Sequence, residues 1–355
     1  MQSRILGFDV ARAFAIFGMV IVNFKIVMGA TTGSAFLIWF AGIFHGRASA
    51  LFVVLAGIGI AFLTKKAHSC QDLTLILAKR KALIKRGLLL IIIGLAYTPI
   101  WPADILHFYG FYFLIASFLF NLSDKKLLIL TAFVALMFPV LLMLFDYNAN
   151  WDWSALTYHQ LWTFDGLVRR IFFNGFHPVF PWVSFLLLGI WLGRQNLLDK
   201  NKRKQLLKYS LIIWITTELF FWTLNLWLSY NLADNIGLLL TTSVIPPMPQ
   251  YIIAASSLAI VLIIISLNVS EKYSNNIVVK YFYQTGQMSL TLYVAHVIIG
   301  MSILDYLNLL KNQTIELALF SVLSFCIFAV MFSVVWLKYF KVGPLEWFFR
   351  KIINL

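Results

Sequence analysis

Long apolar runs recur along nearly the whole of this chain, and they restrict its fold more than any other feature. Several of them reach about eighteen residues, the length at which a hydrophobic stretch becomes a candidate membrane-spanning helix. Because 61% of the residues are hydrophobic and only 12% are charged, a soluble domain would have more apolar surface than it could bury. The sequence therefore predicts an all-α integral membrane protein, built as a polytopic bundle.

We predict about ten membrane-spanning helices in one domain that covers residues 1–355. The predicted helices cover residues 10–28, 48–63, 83–100, 105–122, 127–145, 178–193, 206–228, 249–267, 287–304 and 315–337. An eleventh apolar segment, 34–44, is short, and we expect it to be re-entrant or interfacial. The first apolar run contains Asp9, Arg12 and Lys25 and is followed by no small-residue cleavage site, so we expect it to be retained.

The basic residues follow the topology of these helices. With this assignment, 22 of the 28 Lys and Arg residues fall on one side of the membrane. The positive-inside rule places that side, and with it both termini, in the cytoplasm. The net charge of +14 is thus accounted for by topology, and we expect no nucleic-acid partner.

The segment His45–Leu63 joins a titratable pair to a helix that can pack closely. His45 and Arg47 precede a run rich in Ala, Ser and Gly, and such small residues let neighbouring membrane helices approach each other. A charge at the end of a buried helix is costly unless it faces a cavity or a partner. The alternative is that Arg47 extends to the interface and that His45 simply lies there.

Further polar residues stand where lipid or packed helices are expected. Asp9 and Arg12 are three residues apart on one helix face, where they can neutralise each other or bind something within the bundle. Asp104 either caps the fourth helix or takes part in chemistry. His296, halfway along the ninth helix, is either a satisfied bundle residue or a functional one.

The predicted topology gathers a polar set at the outer half of the bundle: His45, Arg47, Asp104 and His107. Such a set suits general-base chemistry on an alcohol or an amine presented from outside. The chain has no phosphate-binding Gly-rich loop, no His-Glu-x-x-His and no Gly-x-Ser-x-Gly. Its two cysteines, Cys70 and Cys326, predict neither a disulfide framework nor a zinc site, and we expect no bound metal.

The outer connection at about 146–177 is rich in aromatic residues, among them Trp151, Trp153 and Trp162. Aromatic residues at this density are typical of an interfacial belt. They can equally form the floor of a sugar-binding cleft, and the sequence leaves both interpretations open.

Several segments resemble known membrane acyltransferases. The N-terminal part, residues 1–200, is similar to bacterial relatives of heparan-alpha-glucosaminide N-acetyltransferase, and the C-terminal part, residues 201–355, to YeiB-like membrane proteins. The segments that carry the resemblance are Arg4–Val20, Gly46–Phe52, Asp104–Leu106 with Tyr109-Gly110, Pro178–Arg194, Gly286–His296 and Gly343–Arg350. The resemblance implies membership of a transmembrane acyltransferase superfamily and a place in the bacterial cytoplasmic (inner) membrane.

In that family an acyl group, typically acetyl from cytoplasmic acetyl-CoA, passes to an acceptor across the membrane. Our leading hypothesis is such an enzyme, with an extracytoplasmic glycan or small molecule as acceptor and acyl-CoA as co-substrate. The predicted catalytic residues are His45, His296 and Asp104. The residues predicted to bind the acceptor or the acyl group are Asp9, Arg12, Arg47, His107 and Trp182. The residues predicted to bind the acyl-CoA phosphates are Lys79, Arg80, Lys85 and Arg86, although the topology alone also explains why this stretch is basic.

The alternative hypothesis is a transporter or carrier without covalent chemistry, in which the same buried charges form a substrate or proton pathway. Carriers often have inverted halves with Gly- or Pro-broken helices in matching places, and no such pairing is seen here. The sequence leaves open whether the bundle works as a monomer or as a homodimer.

Overall fold

A computed structural model describes residues 5–231 and 236–353. Arg4, which begins the first family-like segment, lies outside the described residues. Within these residues the protein is predominantly helical, which confirms the all-α part of the predicted fold class. Its helices, in chain order, are α1 (Leu6–Val27), α2 (Ala35–Ile43), α3 (Arg47–Cys70), α4 (Leu73–Tyr97), α5 (Leu106–Leu119), α6 (Asp124–Leu144), α7 (Phe164–Arg169), α8 (Val179–Arg194), α9 (Lys200–Asn231), α10 (Ile236–Leu239), α11 (Pro249–Lys272), α12 (Ile277–Gln287), α13 (Ser289–Ala295), α14 (Ser302–Tyr306), α15 (Ile315–Tyr339) and α16 (Pro344–Ile353).

Each of the ten predicted segments falls on a helix or on a broken pair of helices, and 34–44 forms the short helix α2. Within the described residues, seven helical segments are long and apolar enough to cross a membrane, or eight if the bent pair Phe164–Asn174 and Val179–Arg194 forms one span. The difference from ten arises from α4, whose first half is basic, and from α5, which has only 14 residues. The exact number of spans and the location of the termini stay predictions.

One boundary differs clearly from the prediction. Helix α4 begins ten residues before the predicted position of 83, because the Asp72 carboxylate accepts hydrogen bonds from the backbone amides of Thr74 (2.8 Å) and Leu75 (3.4 Å). Its basic residues, which the prediction placed mainly in a connection, therefore form the first half of a regular helix. Those with a predicted role are Lys79, Arg80, Lys85 and Arg86.

The chain divides into two compact units. The first unit consists of residues 1–52 and 259–355, and the second of residues 53–258. In the first unit, α1 packs against α12 and α15. Gly286 on α12 permits the close approach to α1, because a Cβ atom there would lie only 1.7 Å from the backbone oxygen of Asp9.

The helix that carries His296 is broken in two places. Met288 leaves helical geometry between α12 and α13, and the following turn is capped by Glu346 of α16. The carboxylate of Glu346 accepts hydrogen bonds from the Leu290 amide (2.8 Å), the Thr291 amide (3.2 Å) and the Thr291 hydroxyl (2.6 Å). A π-helical segment, His296–Met301, then separates α13 from α14.

In the second unit, α4 packs along α5, and α6 packs along α8. The outer connection contains a two-stranded antiparallel hairpin, β1 (Trp151–Asp152) and β2 (Thr157–Tyr158). It is followed by α7 and by a second π-helical segment, Arg170–Asn174. Arg170, the first residue of this segment, contacts the rings of Phe108 on α5 and Tyr158 on β2.

Candidate active site

A buried carboxylate and a buried imidazole meet at the start of α5. Oδ2 of Asp104 lies 2.9 Å from Nδ1 of His107, and both side chains are wholly buried. Oδ2 also accepts a hydrogen bond from the His107 backbone amide at 3.2 Å. Oδ1 accepts hydrogen bonds from the Tyr97 hydroxyl at 2.5 Å and from the Leu106 amide at 2.9 Å. Because hydrogen bonds to the charged form favour it, these four donors stabilise Asp104 as a carboxylate.

Asp104 leaves the second nitrogen of the His107 ring unoccupied. Its Nε2 is buried and has no hydrogen-bond partner among the residues that the structure describes. A neutral ring that donates from Nδ1 to a carboxylate keeps Nε2 as a proton acceptor. The carboxylate also stabilises the imidazolium that forms when Nε2 takes up a proton. Asp104 thus caps the helix, as its first interpretation predicted, and also fixes His107 as a potential base.

The backbone of α4 lies directly against this pair. A Cβ atom at Gly94 would lie 2.3 Å from the His107 backbone nitrogen and 2.7 Å from Oδ2 of Asp104. Only glycine can occupy this position without moving the start of α5. The site is therefore assembled by the close packing of α4 and α5, with Tyr97 one turn beyond Gly94 donating to Asp104.

Arg170 is a buried cation of the same unit that sequence reasoning did not select. It is 1% exposed and begins the π-helical segment. Its Nη2 donates to the Pro102 carbonyl oxygen at 2.5 Å, and its Cζ lies 5.9 Å from the ring centroids of both Phe108 and Tyr158. In the sequence it stands beside Arg169, and nothing in the pattern distinguishes the buried arginine from its half-buried neighbour.

Trp182 is completely buried within α8, so the predicted acceptor-binding residue lies in the interior of the second unit. Its ring centroid is 4.6 Å from that of His177, and His177 contacts Phe108 edge-on at 6.1 Å. The aromatic residues of the outer connection pack largely on one another: Trp151 stacks on Trp153 at 4.4 Å and donates its indole hydrogen to the Asn174 carbonyl oxygen.

The residues predicted to bind acyl-CoA lie on α4, N-terminal to Gly94. The Arg80 Nε donates to the Ser117 carbonyl oxygen at 3.2 Å, and Arg80 lies over the Phe118 ring. Arg86 lies over the Phe113 ring at 5.0 Å. Both guanidinium groups therefore contact α5, and Lys79 and Lys85 are half-buried.

The first unit holds the remaining predicted residues. Nη1 of Arg12 donates to Oδ1 of Asp9 at 2.5 Å, and Asp9 is 1% exposed. This is the ion pair that their spacing predicted. The charge of each is offset within one helix, which reduces the cost of burying Asp9.

The two other candidate histidines have different surroundings. His45 is exposed in the short connection between α2 and α3, where the positive charges of Lys25 and Arg47 act on it. No carboxylate of the described chain hydrogen-bonds to its ring. His296 is fully buried: its Nε2 lies 2.8 Å from the Asn23 amide nitrogen, and its Nδ1 contacts the Tyr293 carbonyl oxygen.

The predicted polar set of His45, Arg47, Asp104 and His107 is divided between the two units. Asp104 and His107 meet in the second unit, while His45 and Arg47 are neighbours in the first. Their convergence on one site stays a prediction. Within the described residues, no group of three or more His, Cys, Asp or Glu residues has the arrangement of a metal site.

Comparison with protein families adds to this geometry. The family described as "Heparan-alpha-glucosaminide N-acetyltransferase, catalytic" matches residues 4–232, and the family described as "Protein of unknown function (DUF418)" matches residues 192–355. The first match covers more than half of the chain, so the chain belongs to the heparan-alpha-glucosaminide N-acetyltransferase-like family of transmembrane acyltransferases. The resemblance inferred from the sequence is confirmed. No curated protein matches the chain. The family and the apolar helices together indicate an integral membrane protein.

Proposed function

We propose that this chain is an acyltransferase of the bacterial cytoplasmic membrane. It transfers an acyl group, acetyl in the first instance, from cytoplasmic acyl-CoA to a hydroxyl or amine of an extracytoplasmic carbohydrate or cell-envelope acceptor. The observation that carries the proposal is the buried His107 ring, which is held by Asp104 at Nδ1 and left open at Nε2. His107 then acts as the general base, a role for which the sequence first favoured His45.

The geometry of α4 supports a path for the donor. Arg86 and Gly94 are eight residues apart, which corresponds to about 12 Å along a helix. Gly94 contacts the His107 backbone, so one helix connects the basic cluster to the proposed base. A donor whose phosphates bind near Lys79 and Lys85 would extend its thioester along this helix towards Nε2.

His107 performs both proton transfers, first as the base and then as the acid. Nε2 of His107 removes the proton from the acceptor as its oxygen or nitrogen attacks the thioester carbon, and it later returns that proton to the departing thiolate. Asp104 orients the ring and stabilises the imidazolium. Tyr97 and the Leu106 amide hold Asp104 in place.

The test measures transfer of labelled acetyl groups from acetyl-CoA into envelope material, using membranes that contain equal amounts of each variant. We expect His107→Gln to lower the rate by about 10²–10⁴-fold, the usual cost of removing a general base. His45→Gln and His296→Gln serve as matched histidine controls. Full activity in His107→Gln with loss in His45→Gln or His296→Gln would assign the base elsewhere. If wild-type protein neither binds acetyl-CoA nor transfers from it, the enzyme proposal fails and the carrier hypothesis replaces it.

A further inference from the structure

The guanidinium group of Arg170 has hydrogen-bonding capacity that the protein leaves unused. Nη2 is bonded to Pro102, but Nη1 and Nε are buried and have no hydrogen-bond partner within residues 5–231 and 236–353. Arg170 forms no ion pair with a carboxylate in this part of the chain. The Arg170 side chain is only 1% exposed, so these open donors are also shielded from bulk water.

An arrangement of this kind is costly, although the Asp104 carboxylate attracts the guanidinium without forming an ion pair with it. A buried cation loses its hydration, and each unpaired donor adds a further penalty. The ring faces of Phe108 and Tyr158, at 5.9 Å, offset part of this cost by cation–π attraction. They cannot accept hydrogen bonds from the two open nitrogens, Nε and Nη1, in the way that an oxygen atom does. A partner with an electron-rich oxygen would satisfy them.

The position of Arg170 relates it to the proposed base. The His107 ring lies 4.0 Å from the Phe108 ring, and the Arg170 guanidinium lies against the same Phe108 ring. Pro102, which accepts the Nη2 hydrogen bond, is two residues before Asp104 in the same connection. The proposed base and the buried cation thus both contact one aromatic ring in the second unit.

We propose that Arg170 binds the acyl carbonyl oxygen while that oxygen becomes negatively charged, an inference that rests on the proposed acyltransferase function. The acceptor oxygen or nitrogen bonds to the carbonyl carbon as its proton moves to Nε2 of His107. The carbonyl electron pair moves onto oxygen, which Arg170 stabilises through its open N–H groups. The carbon–oxygen double bond then re-forms, the carbon–sulfur bond breaks, and the CoA thiolate takes the proton from His107.

The test compares Arg170→Gln and Arg170→Lys with Arg169→Gln in the acetyl-transfer assay. Since an oxyanion forms only during reaction, we expect Arg170→Gln to lower kcat by about 10²–10³-fold with the KM for acetyl-CoA unchanged. Arg170→Lys keeps the buried charge, so we expect it to recover part of kcat. Arg169 is the matched control, because its side chain is directed to the Asp146 carbonyl oxygen at 3.4 Å, and its substitution should leave kcat unchanged.

Each other outcome overturns the inference. If Arg170→Gln and Arg170→Lys both retain wild-type kcat, Arg170 has no role in the reaction. If excess envelope acceptor restores the rate of Arg170→Gln, the residue binds the acceptor and not the oxyanion. If wild-type protein is inactive with acetyl-CoA, the proposed function fails together with this inference, whereas an active wild type with an active Arg170→Gln rejects the inference alone. Thermal unfolding and acetyl-CoA binding of each variant establish that the protein compared is folded.

Discussion

Gly94→Ala is the substitution that tests most directly how the helices assemble the candidate site. The added methyl group would lie 2.3 Å from the His107 backbone nitrogen, whereas ordinary contact between heavy atoms needs about 3.5–4.0 Å. The start of α5 must therefore move by about 1 Å. A misplacement of about that size at a reacting group can cost on the order of 10²-fold in rate. Overpacking of this kind also lowers the free energy of unfolding by about 1–3 kcal/mol.

The assay needs to separate geometry from stability. We expect Gly94→Ala to lower acetyl transfer per folded molecule by about 10²-fold, while the apparent midpoint of thermal unfolding in detergent falls by only a few degrees. Gly42→Ala on α2 is the matched control, because no heavy atom of the described residues outside the local helix backbone lies within 4 Å of its added Cβ. Alanine is the better helix former there by up to about 1 kcal/mol, so this control should be at least as stable as wild type.

A clear result refutes the reasoning. If Gly94→Ala, compared at equal folded amounts, transfers acetyl groups as fast as Gly42→Ala, the contact between α4 and the His107 backbone does not control the reaction. If the rate falls only in proportion to the amount of folded protein, Gly94 has a structural role and does not position the base.

Two further predictions concern the ion pair and the topology. Asp9→Asn and Arg12→Gln should each lower folded yield, because each leaves one charge of this part-buried pair without its partner, and the double substitution should recover part of the yield. Additive losses would show that the two residues do not interact. In a chain whose two native cysteines are replaced by serine, a cysteine at position 150 should react with an impermeant reagent from outside and one at position 201 should not. The reverse pattern would place the termini on the other side.

The long helices could be predicted from the sequence because a helix that crosses a membrane needs a long run of apolar residues. The start of α4 was misplaced because its first half is basic, and the cap that begins it, Asp72, depends on the conformation of one side chain. Similarly, the i, i+3 spacing placed Asp9 and Arg12 on one face, and their short side chain-to-side chain distance follows from that spacing.

The hydrogen bonding of the candidate site could not be predicted from the sequence. The sequence gives Asp104 and His107 the same spacing as Asp9 and Arg12, but ring orientation and the open state of Nε2 depend on Gly94 and Tyr97, which belong to another helix. His296 and His107 are both single histidines in apolar surroundings. Only the structure shows that Nε2 of His296 lies beside Asn23, whereas Nε2 of His107 has no partner within the described residues.

The first unit combines two distant segments of the chain, and this affects the order in which its helices can pack during synthesis. Helix α1 emerges from the ribosome well before α12 and α15, the helices that cover it, because the whole second unit lies between them in the sequence. During that interval the second unit can be completed, while α1 is in the bilayer without α12 and α15. Because Asp9 and Arg12 lie on the same helix and neutralise each other, α1 has its counter-charge from the moment it is inserted. A variant that kept the mature contacts of Asp9 but took its counter-charge from α12 would lose that protection during synthesis.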